Sequence, residues 1–466
     1  MLAAVALALG GCALQPAYES PDLLAPPAWS VQSSDAPANA DAWWSSLGDD
    51  AINNLTEAAF ASSPTLAQAV ARIDEAQASL GVSSAAQGPT VGASANVSRA
   101  KSQNFAGQGS SPAGPGTSTS TSASYGPTFS WEIDLFGRVR QSVEAARNRL
   151  DARTADAASA RLALAADVAD GVLSLRACEN SRRIIADDIA SREKTLELTR
   201  MRLKTGFAAP VDEARAMAGI ASTRTSLALQ EEQCARQVNA LVALSGRDPN
   251  AVRQLVGTSG IPQAPAAAPE FPAKLLTAHP GVMSAEHEAA AAWAEIGVAR
   301  ADRLPRLNLA AALTGQWIRA GGSTLDFTTW SIGPSVTGTL FDGGAGAANV
   351  SAAQARYRRA VAGLQSTLRS SVQDVENALA GQASAKARVV SAGDSVAAAR
   401  ITLQATEVQW KAGATSLFEL EDSRRQFASA QDAEVSARRD QAQAWVALVK
   451  ASGGAITLSS ESRNHE

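Results

Sequence analysis

GPTFSWEIDLFGR, residues 126–138, ends a segment of alternating polar and apolar residues and opens a long alanine-rich one. A related sequence, GPSVTGTLFDGG, stands at residues 333–344, which is 207 positions further along the chain. The same spacing separates Gly206 from Gly413 and Gly246 from Gly453. Because one spacing relates three landmarks, the chain is interpreted as a tandem duplication of one structural unit.

The duplication divides the chain into two repeats, residues 49–250 and 275–454. Each repeat is predicted to contain two strands, a long helix and a return helix. These are residues 90–103, 122–135, 138–204 and 209–246 in the first repeat, and residues 306–319, 328–341, 345–411 and 416–452 in the second. A Pro/Ala-rich peripheral connection, residues 251–274, joins the repeats, and residues 455–466 are predicted to be a flexible tail.

The composition favours long helices packed through small side chains. Charged residues make up 18% of the 466 residues and aromatic residues 5%, while long Ala-rich segments lack proline. The formal net charge of −4 provides no basic field, so nucleic acid is not expected as a partner.

The first residues resemble a bacterial lipoprotein leader. A short apolar run, Leu2 to Leu9, is followed by Gly10, Gly11 and Cys12. We expect residues 1–11 to be a signal peptide, truncated at its start because no Lys or Arg precedes the run. Cys12 is then the predicted lipidation site, and Ala13 after it favours sorting to the outer membrane. The alternative is a chance cysteine in an apolar leader. Residues 12–48, rich in Pro, Ala and Ser, are interpreted as a lipid-anchored tether.

The four predicted strands alternate polar and apolar residues over about ten positions, as membrane β-strands do. Trp330, Ile332, Pro334, Val336 and Leu340 share one face in the last of them. The Gly/Ser/Thr/Pro tract from Gly107 to Thr121 is predicted to be a loop. Four strands cannot close around an open lumen, so a membrane pore requires several chains to share one barrel. The alternative is an ordinary hairpin that faces solvent.

The two long helices, each roughly 65 residues, extend about 100 Å at 1.5 Å per residue. Gly206 and Gly413 mark tight turns between antiparallel helices. A coiled-coil fibre would require a sustained seam of Leu or Ile, which the sequence lacks. Cys178 and Cys234 each lie 28 residues from Gly206, so an antiparallel hairpin places them at one height. A disulfide is predicted there, with two buried free thiols as the alternative.

The sequence offers no catalytic, metal or cofactor motif. None of the three histidines, His279, His287 and His465, belongs to a zinc-binding pattern, and no Gly-rich phosphate loop or nucleophile elbow is present. His279, before Pro280, is interpreted as serving a helix start. The chain is therefore predicted not to be an enzyme and to need no cofactor.

The strand-to-helix motifs resemble those of the TolC-like outer-membrane efflux proteins. With Cys12, the segment 16–21 and Trp43-Trp44, the chain is similar to the NodT-type lipoprotein subgroup. The motif residues are Trp131, Asp134, Phe136, Gly137, Arg138, Phe341, Gly343 and Gly344. The resemblance extends from Cys12 to about Gly454.

The resemblance implies a mostly α fold with a membrane β-barrel, built from duplicated β-β-α-α repeats. Three chains would form a homotrimer with a twelve-stranded barrel in the outer-membrane lipid and a long α-helical barrel in the periplasm. The turns at Gly206 and Gly413 would form the periplasmic tip. There the trimer would contact a periplasmic adaptor and, through it, an inner-membrane pump of the RND type.

The resemblance also implies a gate near the tip. An apolar and an acidic residue at the start of the last helix match Phe418 and Asp422, and a ring of three carboxylates would favour cations. Arg215 occupies the first-repeat position that matches Asp422, so an Asp422–Arg215 contact between hairpins is a further hypothesis. The alternative is a solvated acidic face near a helix N-terminus.

The function implied is that of the passive outer-membrane channel of a tripartite efflux system, which exports small molecules or drugs. Two alternatives remain open. One is the channel of a type I protein secretion system, and the other is a non-conducting helical lipoprotein that acts as an adhesin or scaffold.

Overall fold

A computed structural model describes residues 16–22, 28–29, 40–104, 116–257, 259–265, 267–269, 278–320, 322–454 and 456–458. The predicted signal peptide, Cys12 and His465 lie outside these residues. The chain forms two compact units. Unit 1 comprises Met1–Asp22, Arg72–Arg153 and Ala285–Leu364, and unit 2 comprises Leu23–Ala71, Thr154–Ser284 and Gln365–Glu466.

The chain is mostly helical, as predicted. The helices are a 3₁₀ helix at Ala40–Leu47, α1 (Asp50–Ser62), α2 (Pro64–Ala85), α3 (Arg138–Lys204), α4 (Pro210–Ser245), α5 (Pro249–Val256), α6 (Pro280–Ala301), α7 (Ala345–Lys411) and α8 (Leu417–Ala451). The strands are β1 (Thr90–Asn104), β2 (Gly116–Ile133), β3 (Ala267–Pro269), β4 (Arg306–Ala320), β5 (Ser323–Thr337) and β6 (Ile456–Leu458).

The four long strands form one antiparallel sheet in unit 1, in the order β1-β2-β4-β5. Cross-strand neighbours form rows that alternate in polarity because successive side chains point to opposite faces. One apolar row crosses all four strands and consists of Val91, Phe129, Ala311 and Ile332. The next row consists of Gly92, Thr128, Ala312 and Ser331. One face of the sheet is therefore apolar along this part of the strands.

Short junctions connect the sheet to the long helices. One follows β2 and leads to α3, and the other follows β5 and leads to α7. The long helices α3 and α7 contain 67 residues each, so each is about 100 Å long. Within the part of the chain that the structure describes, no helix is both long and apolar enough to span a bilayer.

Unit 2 has a hydrophobic core in which α3, α4, α8 and the helices at residues 40–62 meet. Ile52, Leu173, Leu241 and Trp445 are completely buried there. Asp49 caps α1 by accepting from the backbone N–H of Ala51 at 2.9 Å. Unit 1 buries smaller residues, among them Ala152 of α3 and Ala291 of α6. Small side chains let the helices approach closely, which explains the alanine content of the sequence.

Two predicted boundaries of the sheet differ from the structure. A loop was predicted from Gly107 to Thr121, and the prediction is wrong for the end of this segment. There β2 begins at Gly116, and Thr121 pairs with Arg99 of β1. Serine and threonine are compatible with a strand whose neighbours supply the hydrogen bonds, so composition misled the prediction. Conversely, β5 ends at Thr337, so Leu340 and Phe341 are outside the strand and exposed.

The predicted tether and tail contain ordered structure. Residues 40–47 form the 3₁₀ helix rather than an extended tether. In the tail, predicted to be flexible, Ile456–Leu458 pair antiparallel with Ala267–Pro269 of the connection. The two strands are short and their sequences give little indication of a strand, so their pairing depends on tertiary contact.

Candidate functional site

The junction between β2 and α3 is fixed by charged side chains of the repeated motif. The Arg138 Nε and Nη2 atoms donate to Glu132 Oε1 and Oε2, each at 2.8 Å. This bidentate pair raises the pKa of Arg138, chiefly through its hydrogen bonds to Glu132. Asp134 Oδ2 accepts from the backbone N–H of Arg140 at 2.9 Å. The motif therefore caps the start of the long helix and fixes the turn from strand to helix.

At the second junction, between β5 and α7, a single side chain caps the start of the long helix. Asp342 accepts from the backbone N–H of Gly344 at 2.8 Å and from that of Gly346 at 2.7 Å. The hydrogen bond from Gly346, followed by that from Gly344, lowers the pKa of Asp342. The carboxylate thus stays ionised where the N-terminal end of α7 favours negative charge.

Trp131 and Phe341, two other motif residues, differ in their surroundings. The Trp131 Nε1–H donates to the backbone carbonyl of Gln87 at 3.0 Å. This hydrogen bond holds the end of β2 against the segment that follows α2. Phe341 is 89% exposed.

The two helix hairpins of unit 2 end in the same turn. The Phe207 N–H donates to the Arg202 carbonyl at 2.8 Å, and the Ala414 N–H donates to that of Gln409 at 2.8 Å. Gly206 and Gly413 have φ of 80° and 77°, the left-handed conformation in which a side chain is strained. Each hairpin therefore reverses through a glycine-dependent helix cap, and Phe207 is left 84% exposed.

Arg202 connects the two hairpin turns, a contact that the sequence prediction missed. Its Nη2 donates to the carbonyl oxygens of Trp410 at 2.9 Å and Lys411 at 2.7 Å, at the C-terminal end of α7. Its guanidinium carbon lies 4.6 Å from the centroid of the Trp410 ring. Cations at helix C-termini and over aromatic faces are both favourable. Only the 207-residue spacing, which brings both turns to one end, points to this contact in the sequence.

The predicted gate residues lie on the first turns of α8 and on α4. Phe418 is 62% exposed. Asp422 accepts from Arg425 at 2.7 Å and from Gln426 at 2.6 Å, and the hydrogen bond from Arg425 lowers its pKa. Arg215 lies 3.8 Å from Asp212 of its own helix. Within one chain, the hypothesised Asp422–Arg215 contact is therefore replaced by local partners, because both side chains can reach charges one turn away.

Behind these exposed residues is a buried ionic network that the sequence prediction also missed. Arg192 of α3 pairs with Asp188 at 2.8 Å and with Glu421 of α8. Arg424 lies 3.3 Å from Glu421 and 3.4 Å from Glu407 of α7. Burial lowers the pKa of Arg424, and Glu407 raises it in opposition. The network joins three helices close to the predicted gate.

Cys178 of α3 and Cys234 of α4 are joined by a disulfide, and their Cα atoms are 5.5 Å apart. The bond connects the two helices of the first hairpin far from its turn. Near it, Gln230 Nε2 donates to the Cys178 carbonyl at 3.1 Å.

Comparison with known proteins relates the chain to one protein family. The chain matches the family model described as outer membrane efflux protein at residues 55–247 and 271–454. It is 28% identical over 456 residues to the pyoverdine export outer membrane protein OpmQ of Pseudomonas aeruginosa, covering 97% of this chain and 96% of that protein. It is also 28% identical over 435 residues to nodulation protein T of Rhizobium leguminosarum bv. viciae, covering 92% and 88%.

A third relative is the toluene efflux pump outer membrane protein TtgC of Pseudomonas putida, 27% identical over 469 residues, with 97% of this chain and 94% of that protein covered. Among solved structures, the outer-membrane channel OprN superimposes with a TM-score of 0.85 at 26% identity and covers 95% of this chain and 99% of that one. The Campylobacter jejuni CmeC outer membrane channel shares the fold, with a TM-score of 0.82 at 22% identity and 95% of each chain covered.

Proposed function

This chain belongs to the outer membrane efflux protein family, and we propose that it is the passive exit duct of a tripartite efflux system. It is an outer-membrane channel protein that takes part in efflux. The proposal adds a homotrimeric assembly, a periplasmic adaptor and an inner-membrane pump of the RND type. Small molecules are the proposed cargo, since toluene and pyoverdine appear in the names of two relatives.

The four-stranded sheet carries this proposal. Its apolar row from Val91 to Ile332 crosses every strand, and its outer strands are β1 and β5. Strand edges with free N–H and C=O groups are not tolerated in lipid. Pairing β1 of one copy with β5 of the next removes both edges. Three copies then give a closed sheet of twelve strands, wide enough to enclose a lumen.

The N-terminal segment supports an anchor at Cys12. The Trp293 Nε1–H of α6 donates to the carbonyl of Pro16 at 3.0 Å, so the chain is attached to unit 1 four residues after the cysteine. Burial is the main cause that raises the pKa of nearby Tyr18 to about 12, and Glu286 adds to it. We infer that Cys12 carries lipid chains and that residues 16–18 hold the segment against the helices. Each buried methylene of a lipid chain contributes about 0.8 kcal/mol to membrane binding.

The hairpin turns at Gly206 and Gly413 are the proposed adaptor contact. The exposed Phe207 supplies an apolar side chain there, and Arg202 holds the two turns together. An apolar contact on a rigid turn loses little conformational entropy on binding. The adaptor would in turn connect the duct to the pump, which supplies the energy that a passive channel lacks.

The proposed gate consists of Phe418, Asp422 and Arg215. In a trimer, three Asp422 carboxylates and three Phe418 rings would narrow the duct at one level. Asp422 remains ionised because Arg425 donates to it. Arg215 would face a neighbouring copy, since within its own chain it has only the 3.8 Å contact to Asp212 on its own helix among the ion pairs of the described residues.

Single-channel recording on the purified trimer in planar bilayers tests the duct. We expect small, cation-favouring conductance that increases in Phe418→Ala and Asp422→Ala, with Asp394→Ala as a control on a different helix. A protein that inserts as a trimer but never conducts would support a non-conducting scaffold instead. Unchanged conductance in both variants would reject the gate alone.

Capture of partners separates efflux from protein secretion. With the chain as bait, crosslinking from a cysteine introduced at Phe207 should recover an adaptor together with an RND-type pump. Recovery of an ATP-driven secretion transporter would favour the type I alternative.

A further inference from the structure

A cleft of about 560 Å³ in unit 2 lies among helices α3, α7 and α8, next to His279 at the start of α6. Its walls are mostly small or apolar and include Leu162, Ala378, Ala444 and Ala447. A cavity of this volume accommodates a drug-sized molecule, and apolar walls with few polar groups are typical of ligand sites. The cleft is separate from the junctions, the hairpin turns and the predicted gate.

The cleft is lined by one anionic side chain, Asp374, and one cationic side chain, Lys450. Lys450 of α8 is paired with Asp167 of α3, with Nζ 3.2 Å from Oδ1. Asp374 of α7 also lines the cleft and is exposed. Within the described part of the chain, Asp374 makes no hydrogen bond or ion pair. Asp374 is therefore the charged group of the cleft lining that has no partner among the described residues, whereas Lys450 has one.

His279 does not supply Asp374 with a positive charge. Its Nδ1 accepts a hydrogen bond from the backbone N–H of Gly281 at 3.1 Å, so the ring proton of the neutral form is on Nε2. Burial lowers the pKa of His279 below its usual value, against the opposing effect of Asp374. The imidazole is thus neutral near pH 7 and offers the cleft an N–H donor rather than a cation.

We propose that this cleft binds small amphipathic cations, with the positive group at Asp374 and an apolar body against Leu162 and the alanines. Charge complementarity selects the cation, because an anion would meet the unpaired carboxylate and lose solvation without a partner. The small alanine side chains leave room for a rigid ring system. The inference rests on the proposed efflux function for its role, which is a transient contact for cargo.

Ethidium, a rigid aromatic monocation that fluoresces, is a suitable probe. Its fluorescence anisotropy is titrated with the purified full-length trimer in a non-ionic detergent. We expect Asp374→Asn to weaken binding about fivefold or more, since it removes the charge and keeps the shape. Asp394→Asn is the matched control, because Asp394 is an exposed carboxylate of the same helix outside the cleft. It should bind like the wild type.

A second variant tests the cavity rather than the charge. Ala447→Trp fills the cleft from α8 and should abolish ethidium binding, while the anionic dye 1-anilinonaphthalene-8-sulfonate should bind no more weakly to Asp374→Asn than to wild type. Elution as a trimer shows that each variant is folded. Ethidium binding unchanged in both Asp374→Asn and Ala447→Trp would overturn the site.

The two proposals fail in distinguishable ways. A trimer that conducts but does not bind ethidium contradicts the cleft and leaves the duct in place. A trimer that binds ethidium through Asp374 but does not conduct contradicts the duct.

Discussion

Arg192 and Glu421 form an ion pair between α3 and α8 in which their side chains are only 8% and 16% exposed. Removing two charges from water is costly, and their mutual attraction offsets that cost only when hydrogen bonds satisfy both groups. Asp188 satisfies the Arg192 Nε at 2.8 Å, and Arg424 approaches the other oxygen of Glu421 at 3.3 Å. Glu421 is thus the shared anion of two buried guanidinium groups.

Glu421→Gln should therefore loosen the helices near the hairpin turns. The substitution leaves Arg192 and Arg424 buried with one fewer anion, although Asp188 and Glu407 remain. We expect local opening to become easier by about 2 kcal/mol, below the 3–5 kcal/mol of a fully broken buried pair. Hydrogen–deuterium exchange of peptides around residues 192 and 421 measures this, with a rate increase on the order of 30-fold.

Glu419→Gln is the control, because Glu419 lies on the same helix turn and is exposed. Its exchange rates should stay close to those of the wild type. Equal protection in both variants would show that the buried network contributes nothing to the stability of this region.

Reduction of the Cys178–Cys234 disulfide should destabilise the first hairpin. The bond closes a loop with a sequence separation of 56 residues, and chain entropy predicts stabilisation of up to about 4 kcal/mol for such a loop. Protease cleavage within α4 should accelerate when a reductant is added. The double variant Cys178→Ser, Cys234→Ser should show the faster cleavage without reductant and no response to it. A wild-type protein insensitive to reductant would contradict this expectation.

The duplicated sequence predicts the fold well because the repeated landmarks are fixed by local chemistry. Gly206 and Gly413 each end a long helix because glycine readily adopts the left-handed conformation of a helix cap. Alternating apolar residues such as Trp330 and Ile332 favour a strand. The mostly helical architecture with two strand pairs is confirmed. The start of β2 was missed because Gly116 to Thr121 have turn-like composition, and only their partners in β1 make them a strand.

The site was less predictable, because its contacts join residues far apart in sequence. Arg202 reaches the carbonyls of Trp410 and Lys411, and Arg192 reaches Glu421, without any motif that marks these pairs. Arg215 and Asp422 occupy matched repeat positions, yet each has a partner one turn away. Repeat symmetry identifies equivalent backbone positions, whereas the choice between available charges depends on side-chain reach.

Asp170 should make stability depend on pH. Burial, followed by the nearby Asp167, raises its pKa from 3.8 to about 7, against the opposing effect of Lys450. Its Oδ1 is buried without a hydrogen-bond partner in the described structure. Because the folded state holds this proton more tightly than the unfolded state, stability falls as pH rises from about 4 to about 7, and then levels off.

Asp170→Asn keeps the shape and removes the titration. We expect the variant to be more stable than wild type at pH 8, by on the order of 2 kcal/mol, and to lose the decline between pH 5 and pH 7. Chemical unfolding followed by circular dichroism at several pH values measures both. The control is Asp187→Asn, at an exposed position of α3, which should follow the wild-type pH profile. Parallel pH profiles for Asp170→Asn and wild type would refute the assignment.

Gly126 and Gly333 occupy the same position in the two repeats but have opposite tolerance for a side chain. A Cβ at Gly126 of β2 would clash with the Leu313 carbonyl oxygen of β4, whereas a Cβ at Gly333 of β5 would meet no atom of the described residues of the same chain within 4 Å. A backbone atom cannot rotate away as a side chain can, so Gly126→Ala forces β2 and β4 apart. These two strands join the first repeat to the second in the sheet.

Gly126→Ala should therefore prevent assembly, while Gly333→Ala should not. Overpacking within a well-packed structure costs about 1–3 kcal/mol or more, and separation of β2 from β4 would also expose backbone groups to lipid. The measurement is the yield of trimer in outer-membrane fractions, separated by electrophoresis without boiling. We expect a loss of most of the trimer for Gly126→Ala and near wild-type yield for Gly333→Ala. Equal yields would mean that the β2–β4 pairing tolerates a methyl group at this point, and that the two halves of the sheet are less closely joined than the register indicates.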